Sequence, residues 1–291
     1  MDNGLALDKR LMRRAFEQAA AGYDAAAVLQ HEVCRRMLSR LDFVTLRPAA
    51  ILDAGCGTGN VIAGLRARYP RAVLYALDIA AGMVRQARAR MPWWQRALGR
   101  GVVPVCGDLE ELPLRTAAVD LVWSNLALQW VNEPPRAMAQ LRRVLAPGGL
   151  LMFSTFGPDT LKELRAAYAG ADRYTHVNRF IDMHDLGDML VHAGFADPVM
   201  DMEYITLTYA DVRAVMRDLK AIGAHNVTAG RQPGMTARAT LAAVERNYEA
   251  FRRDGKLPAT FEVIYGHAWV PQPRVTADGK RVIDIKPRKE F

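Results

Sequence analysis

Apolar positions recur at helical spacing at the start of the chain. Leu11, Phe16, Ala20, Tyr23, Ala27, Val33, Met37 and Leu41 fall broadly on one face, which predicts one or two helices over 8–41. Gly22-Tyr23-Asp24 is the expected break. Beyond Arg47-Pro48 the pattern changes to short apolar runs alternating with amphipathic stretches. The runs predict strands from Ala50 and over 72–79, 102–106, 119–125 and 150–156; the stretches predict helices over 58–69, 81–91 and 134–145. Ala146-Pro147-Gly148-Gly149 should end the last of these helices, and Pro92-Trp93-Trp94 follows the second. Such alternation is what a parallel sheet crossed by helices requires, so the expected class is α/β with helices on both faces.

After Phe156 the alternation loosens. Helices are expected over 159–169, 184–193, 210–222 and 236–253, with strands near 198–209 and 260–270. The chain then divides into an N-terminal helical segment (1–45), a core (46–209), a helical insertion expected to cover the site (210–258), a last core strand (259–270) and a basic tail (271–291). Within the tail, Asp278-Gly279 is suited to a hairpin over 274–282, and disorder fits equally well.

Candidate chemistry starts at Ala50-Ile51-Leu52-Asp53-Ala54-Gly55-Cys56-Gly57-Thr58-Gly59, a strand running into alternating glycines and then a helix. Glycine permits positive φ and removes the Cβ that would hold a ligand off the backbone. Free N–H groups and a positive helix end then face whatever docks there. Dinucleotide spacing would put a third glycine at position 60, which is Asn60. Asp78 closes the second strand, 23 residues after Gly55, where a carboxylate accepts both ribose hydroxyls or caps helix 81–91. Asp53, Asp78 and Asp108 each end, or lie just beyond, a separate strand. In a parallel sheet they meet at the carboxyl edge, where ligands bind.

The pattern D-x-G-x-G-x-G over 53–59 resembles the first motif of the class I S-adenosylmethionine-dependent methyltransferases. That resemblance implies a Rossmann-like sheet and a cofactor held by Asp53, Gly55, Gly57, Gly59 and Asp78. It places Ile79 and Met83 beside the adenine, Asp108 on its amino group and the Leu109 backbone on its ring. Asn125, after the fourth strand, is suited to the methionine end. Gln129 and Trp130 follow, where an acceptor should sit, although a core tryptophan is the ordinary explanation of Trp130.

Composition changes the picture in two ways. The chain has 291 residues and a net charge of +8, which favours an acidic partner through long-range steering. Solvated helix faces account for most of its arginine pairs, and an acidic protein or nucleic acid remain the functional readings. Three widely spaced cysteines argue for a reducing compartment and offer no metal-ligand spacing. With no long apolar run and no secretory segment at the N-terminus, the expectation is a soluble cytoplasmic protein without a metal.

The flanking blocks narrow the resemblance. Arg14-Ala15-Phe16, Tyr23-Asp24 with Leu29-Gln30, Trp123 through Trp130, His176-Val177-Asn178-Arg179-Phe180, Leu219 through Ala224 with Gly230-Arg231, and Leu257 through Val263 resemble the malonyl-acyl carrier protein O-methyltransferases of biotin synthesis. This implies methyl transfer to the free carboxylate of a malonyl thioester on an acidic acyl carrier protein, with no nucleic acid or membrane partner. A carboxylic acid with a pKa near ~4 needs no general base at neutral pH, which fits the lack of a catalytic dyad. Arg179 and Arg231 are both candidates to hold the carboxylate, with surface salt bridging the ordinary alternative, and Tyr23 is suited to close over the methyl group. Rival readings are another small carboxylate or a quinone-like acceptor, and, in a different class, an RNA-binding or RNA-modifying protein.

Overall fold

A computed structural model describes residues 6–91, 101–172, 174–224, 226–228, 230–231 and 237–272. Pro92-Trp93-Trp94 and the hairpin expected over 274–282 lie outside the described residues. Among the described residues, seven strands form one sheet in the order β3-β2-β1-β4-β5-β7-β6. They are β1 (Ala50–Ala54), β2 (Val73–Asp78), β3 (Val103–Cys106), β4 (Val119–Asn125), β5 (Leu145–Phe156), β6 (Ala196–Tyr209) and β7 (Leu257–Trp269). β1 to β5 pair in parallel, and β7 runs antiparallel between β5 and β6. β1 lies between β2 and β4, so the strand order reverses there and opens a crevice at the carboxyl ends.

The α-helices among the described residues are α1 (Lys9–Ala19), α2 (Tyr23–Ala26), α3 (Val28–Arg40), α4 (Ile62–Arg68), α5 (Ala81–Ala89), α6 (Pro134–Val144), α7 (Lys162–Tyr168), α8 (Met183–His192), α9 (Val212–Ala221) and α10 (Arg238–Glu249). Successive strand residues face opposite sides of the sheet. Ile51, Leu121 and Trp123 pack with α3 and α4 on one face, while Leu52, Val122 and Leu151 pack with α6 and α8 on the other. Burial on both faces is why these strands read as continuous apolar runs.

Several boundaries differ from the sequence expectation. β5 begins at Leu145, ahead of the Pro147-Gly148-Gly149 turn, because Val119 pairs with Leu145 and the register then shifts to Leu121 with Leu150. The extra residues bulge and are held by the neighbouring strand: Gly148 N donates to Val270 O (2.9 Å) and Val270 N to Gly149 O (2.8 Å). β7 begins at Leu257 rather than 259, because its whole length pairs with β6, down to Leu257 with Tyr209. The helix expected from 159 starts at Lys162, since Gly157 N and Leu161 N are drawn to Glu262 O (2.9 Å) and Thr260 O (2.6 Å).

The break expected at Gly22-Tyr23-Asp24 separates α1 from α2, and a second falls at Ala27. Asp8 caps α1, its Oδ1 accepting from Arg10 N (2.9 Å) and Leu11 N (3.1 Å). Ahead of that cap, Leu7 forms a β-bridge with Thr228 and Asp8 N donates to Val227 O (2.9 Å). The N-terminal segment is therefore stitched to the loop after α9. No helix among the described residues is long and apolar enough to cross a membrane.

Candidate active site

The glycine loop takes the conformation its residues permit. Gly55, Gly57 and Gly59 have φ of +83°, +51° and +82°, values that favour glycine. Gly55 N and Cys56 N both donate to Leu77 O (2.8 Å), tying the loop to the end of β2. A Cβ on Gly55 would overlap Ala127 Cβ, and one on Gly59 would lie 2.9 Å from Ala87 Cα. Gly59 therefore serves the approach of α5 and does not line the crevice. Gly57 is the open position, with only Tyr23 Cε1 at 4.0 Å from its hypothetical Cβ.

A crevice of about 90 Å³ lies against this loop. Tyr23, Gly55, Gly57, Asp78, Ile79, Met83, Asp108, Leu109, Asn125 and Trp130 all line it, with Met12 and Phe16 from α1 as its roof. Asp78 Oδ2 accepts from Gly57 N (3.0 Å) and Oδ1 from Ala80 N (2.9 Å). Burial raises its pKa to about 6, and those N–H groups oppose the shift. Asp108 is held by Lys9, whose Nζ lies 2.5 Å from Asp108 Oδ2 and 2.6 Å from Glu110 Oε2. Burial, then Asp78 and Asp24, pushes the Tyr23 hydroxyl up, so it is a donor throughout the neutral range.

Asp53 does not meet the other two aspartates in that crevice. It shares the α3 face of β1 with Ile51, and lines a separate chamber of about 40 Å³ with Gln30, His31, Cys34 and Trp123. Tyr23, Gly55, Gly57 and Asn125 border both spaces. Asp53 Oδ2, Trp123 Nε1 and Gln30 Oε1 are buried there without a hydrogen-bond partner among the described residues. Burial, then the charge on Asp78, raises the Asp53 pKa to about 8. Strand periodicity, not proximity in sequence, decides which space each carboxylate enters.

Beyond Trp130 lies a larger cavity of about 600 Å³, walled by apolar groups such as Leu29, Leu164, Phe156 and Phe261 and closed by α9. Trp130 lines both the crevice and this cavity and meets Phe16 edge-on, ring centroids 5.1 Å apart. Gln129 lines the cavity, but its amide is engaged: Nε2 donates to Leu126 O (2.7 Å), and Oε1 accepts from Thr155 Oγ1 (3.3 Å). It braces the turn where Leu126 adopts φ +49°. Asn125 is braced likewise, its Nδ2 donating to Gln30 O (3.2 Å) and its Oδ1 accepting from Ser154 Oγ (2.9 Å).

The two arginines separate. Arg231 lines the large cavity, half-buried, and forms no ion pair among the described residues; its Nη1 only approaches Thr228 O at 3.4 Å. Arg179 is exposed and lines a different pocket of about 200 Å³, beside Phe180 and Leu186. Sequence reasoning missed Lys9, which tethers Asp108, the roof residue Met12, and the cavity-lining Asn178. Asn178 sits inside a block singled out from the sequence, yet only its buried Oδ1, without a partner among the described residues, distinguishes it from its neighbours.

This sheet and glycine crevice are those of the class I methyltransferase fold, and a family profile described as a methyltransferase domain matches residues 52–153. Among solved structures, the YcgJ protein of Bacillus subtilis superposes with a TM-score of 0.55 at 14% identity, covering 83% of this chain and 99% of that one. The [4+2]-cyclase SpnF superposes at 0.52 with 23% identity over 81% of each chain, so the fold by itself does not specify the reaction. The decisive likeness is in sequence. The malonyl-[acyl-carrier protein] O-methyltransferase of Gallionella capsiferriformans is 59% identical over 97% of both chains, and that of Nitrosospira multiformis 58% identical over 96% of both. The chain belongs to the malonyl-[acyl-carrier protein] O-methyltransferase family.

Proposed function

We propose that this protein transfers a methyl group from S-adenosylmethionine to the free carboxylate of a malonyl thioester on acyl carrier protein, the methyl ester serving biotin synthesis. The observation that carries this reading is the pair of adjoining spaces divided by Trp130: a glycine-bordered crevice and a larger apolar cavity lined by Arg231, which forms no ion pair among the described residues. Orphaned carboxylate and open backbone fit the donor. Asp53 Oδ2 lacks a partner that an ammonium would supply, and Gly57 leaves room beside Asp78 for a ribose. Ile79, Met83 and Leu109 provide the apolar walls for a base. Asp108 is available to its amino group only as Lys9 shares it.

When bound, S-adenosylmethionine supplies an electrophilic methyl group on a sulfonium centre, and loss of that methyl leaves a neutral thioether. The acceptor carboxylate is already ionised at neutral pH, so no side chain need remove a proton. Because an anion and a cation become neutral products, walls that exclude water favour the step, and Phe156, Phe261 and Leu164 form such walls. Arg231 orients the carboxylate with a bidentate fork, Trp130 closes the junction between the two spaces, and Tyr23, on the crevice and the Asp53 chamber, closes over the methyl group. Gln129 acts by holding the Leu126 turn in place.

The carrier is acidic, which the net charge of +8 complements, and neither nucleic acid nor membrane is a partner. The insertion over 210–258, apart from its last two residues in β7, and the N-terminal helices act as lids over the acceptor and donor spaces. Free Cys34, Cys56 and Cys106 suit a cytoplasmic enzyme. A labelled-methyl assay offering malonyl-carrier, free malonyl thioester and RNA tests the whole reading. Label is expected in malonyl-carrier, as a base-labile ester, and labelling of RNA alone would overturn it. Raising salt should weaken the apparent affinity for the carrier, and an unchanged affinity would exclude electrostatic docking.

A further inference from the structure

The larger cavity holds more than the reacting group needs. A malonyl thioester head has seven heavy atoms, which even at a whole water's share of about 30 Å³ apiece would take up no more than roughly 200 Å³, against a cavity of about 600 Å³. What fills the remainder is written in its polar groups. Asn178 Oδ1 is buried on the lining without a donor among the described residues. An acceptor left so is costly and is satisfied when a ligand brings an N–H.

Lys220 is the one exposed residue of the lining, so its ammonium marks where the cavity opens to solvent. A lysine in a last helical turn is ordinary, since it complements the helix dipole. Lys220 differs in lying on the cavity rim with no ion pair among the described residues. The nearby acid, Asp218, accepts from the Tyr209 hydroxyl at 2.6 Å.

Resting on the activity proposed above, we infer that the cavity takes the carrier's phosphopantetheine arm as well as the malonyl head, with Asn178 accepting from an arm amide and Lys220 pairing with the arm's phosphate at the mouth. The arm is a chain of two amides with an apolar gem-dimethyl segment, ending in a phosphate. That order matches an apolar passage with one buried acceptor and a cation at its rim. Both residues position the substrate and take no part in bond making.

The test compares two small substrates that differ only in the phosphate, malonyl-4′-phosphopantetheine and malonyl-pantetheine, in the labelled-methyl assay with the full chain. Wild type is expected to show a KM about tenfold lower for the phosphorylated substrate, with equal kcat, as one contact worth ~1.4 kcal/mol requires. Lys220→Ala should abolish that difference by raising only the KM for the phosphorylated substrate, and Lys220→Arg should retain it. Asn178→Ala should raise KM for both substrates and leave kcat unchanged. The inference is overturned if wild type treats the two alike, if Lys220→Ala affects both equally, or if malonyl-carrier is methylated but neither free arm is. Failure to methylate any malonyl thioester, carrier-bound included, would instead sink the proposed activity.

Discussion

Replacing Asp53 by asparagine should make the protein more stable in mildly alkaline solution while weakening its hold on the methyl donor. Asp53 is 2% exposed, and its Oδ2 has no partner among the described residues. Around it stand Asp78, Cys34, Cys56, Tyr23 and His31, none of them a fixed cation. The folded carboxyl therefore holds its proton up to about pH 8, against an ordinary value of 3.8. A folded pKa above the unfolded one means that the folded state binds more protons between the two values. Stability is unaffected below about pH 4, falls as pH rises through the window, and levels off above pH 8. At about 1.4 kcal/mol per pH unit, the full loss is on the order of 6 kcal/mol, an upper bound because water entering the chamber relieves part of it.

An amide at this position cannot ionise, so the Asp53→Asn curve should fall less than the wild-type curve, keeping only the decline up to about pH 6 that buried Asp78 contributes. The two should converge toward pH 4 and differ by up to a few kcal/mol at pH 8, a large share of the stability of a typical domain. Urea unfolding from pH 5 to 8, followed by tryptophan fluorescence, reads the difference directly. Calorimetry with S-adenosylhomocysteine over the same range should show wild-type affinity rising with pH as Asp53 ionises to meet the amino-acid ammonium, and the variant weaker and flat. Parallel stability curves, or tighter product binding by the variant, would refute the reasoning.

Arg231→Ala should raise the KM for malonyl-carrier by about 30-fold or more, the cost of about 2 kcal/mol for an unpaired carboxylate; Arg179→Ala should change it less than threefold, and steady-state kinetics separates them. Gly55→Ala places a Cβ on Ala127 and forces positive φ on alanine, so it should cost about 1–3 kcal/mol in thermal or urea unfolding and reduce S-adenosylhomocysteine affinity. Lys9→Ala releases the tether from α1 to Asp108 and Glu110, and stopped-flow should show S-adenosylhomocysteine leaving several-fold faster with little change in overall stability.

Local signals carried the class of fold and the donor crevice. Short apolar runs, the glycine spacing of 55, 57 and 59, and Asp78 at a strand end are each written within a few neighbouring residues, and backbone sterics convert them directly into shape. The outer blocks, from Tyr23-Asp24 to Leu257 through Val263, likewise pointed to one family because each is a contiguous string. Only the folded chain decided that Asp53 lines a different space from Asp78 and Asp108, that Gln129 is spent on Leu126 O, and that Arg231 and not Arg179 reaches the large cavity. Lys9 meets Asp108 across 99 positions, and β5 begins early because Val270 supports its bulge. Such outcomes depend on which face a strand presents and which distant segment packs against it, and no window of sequence contains both partners.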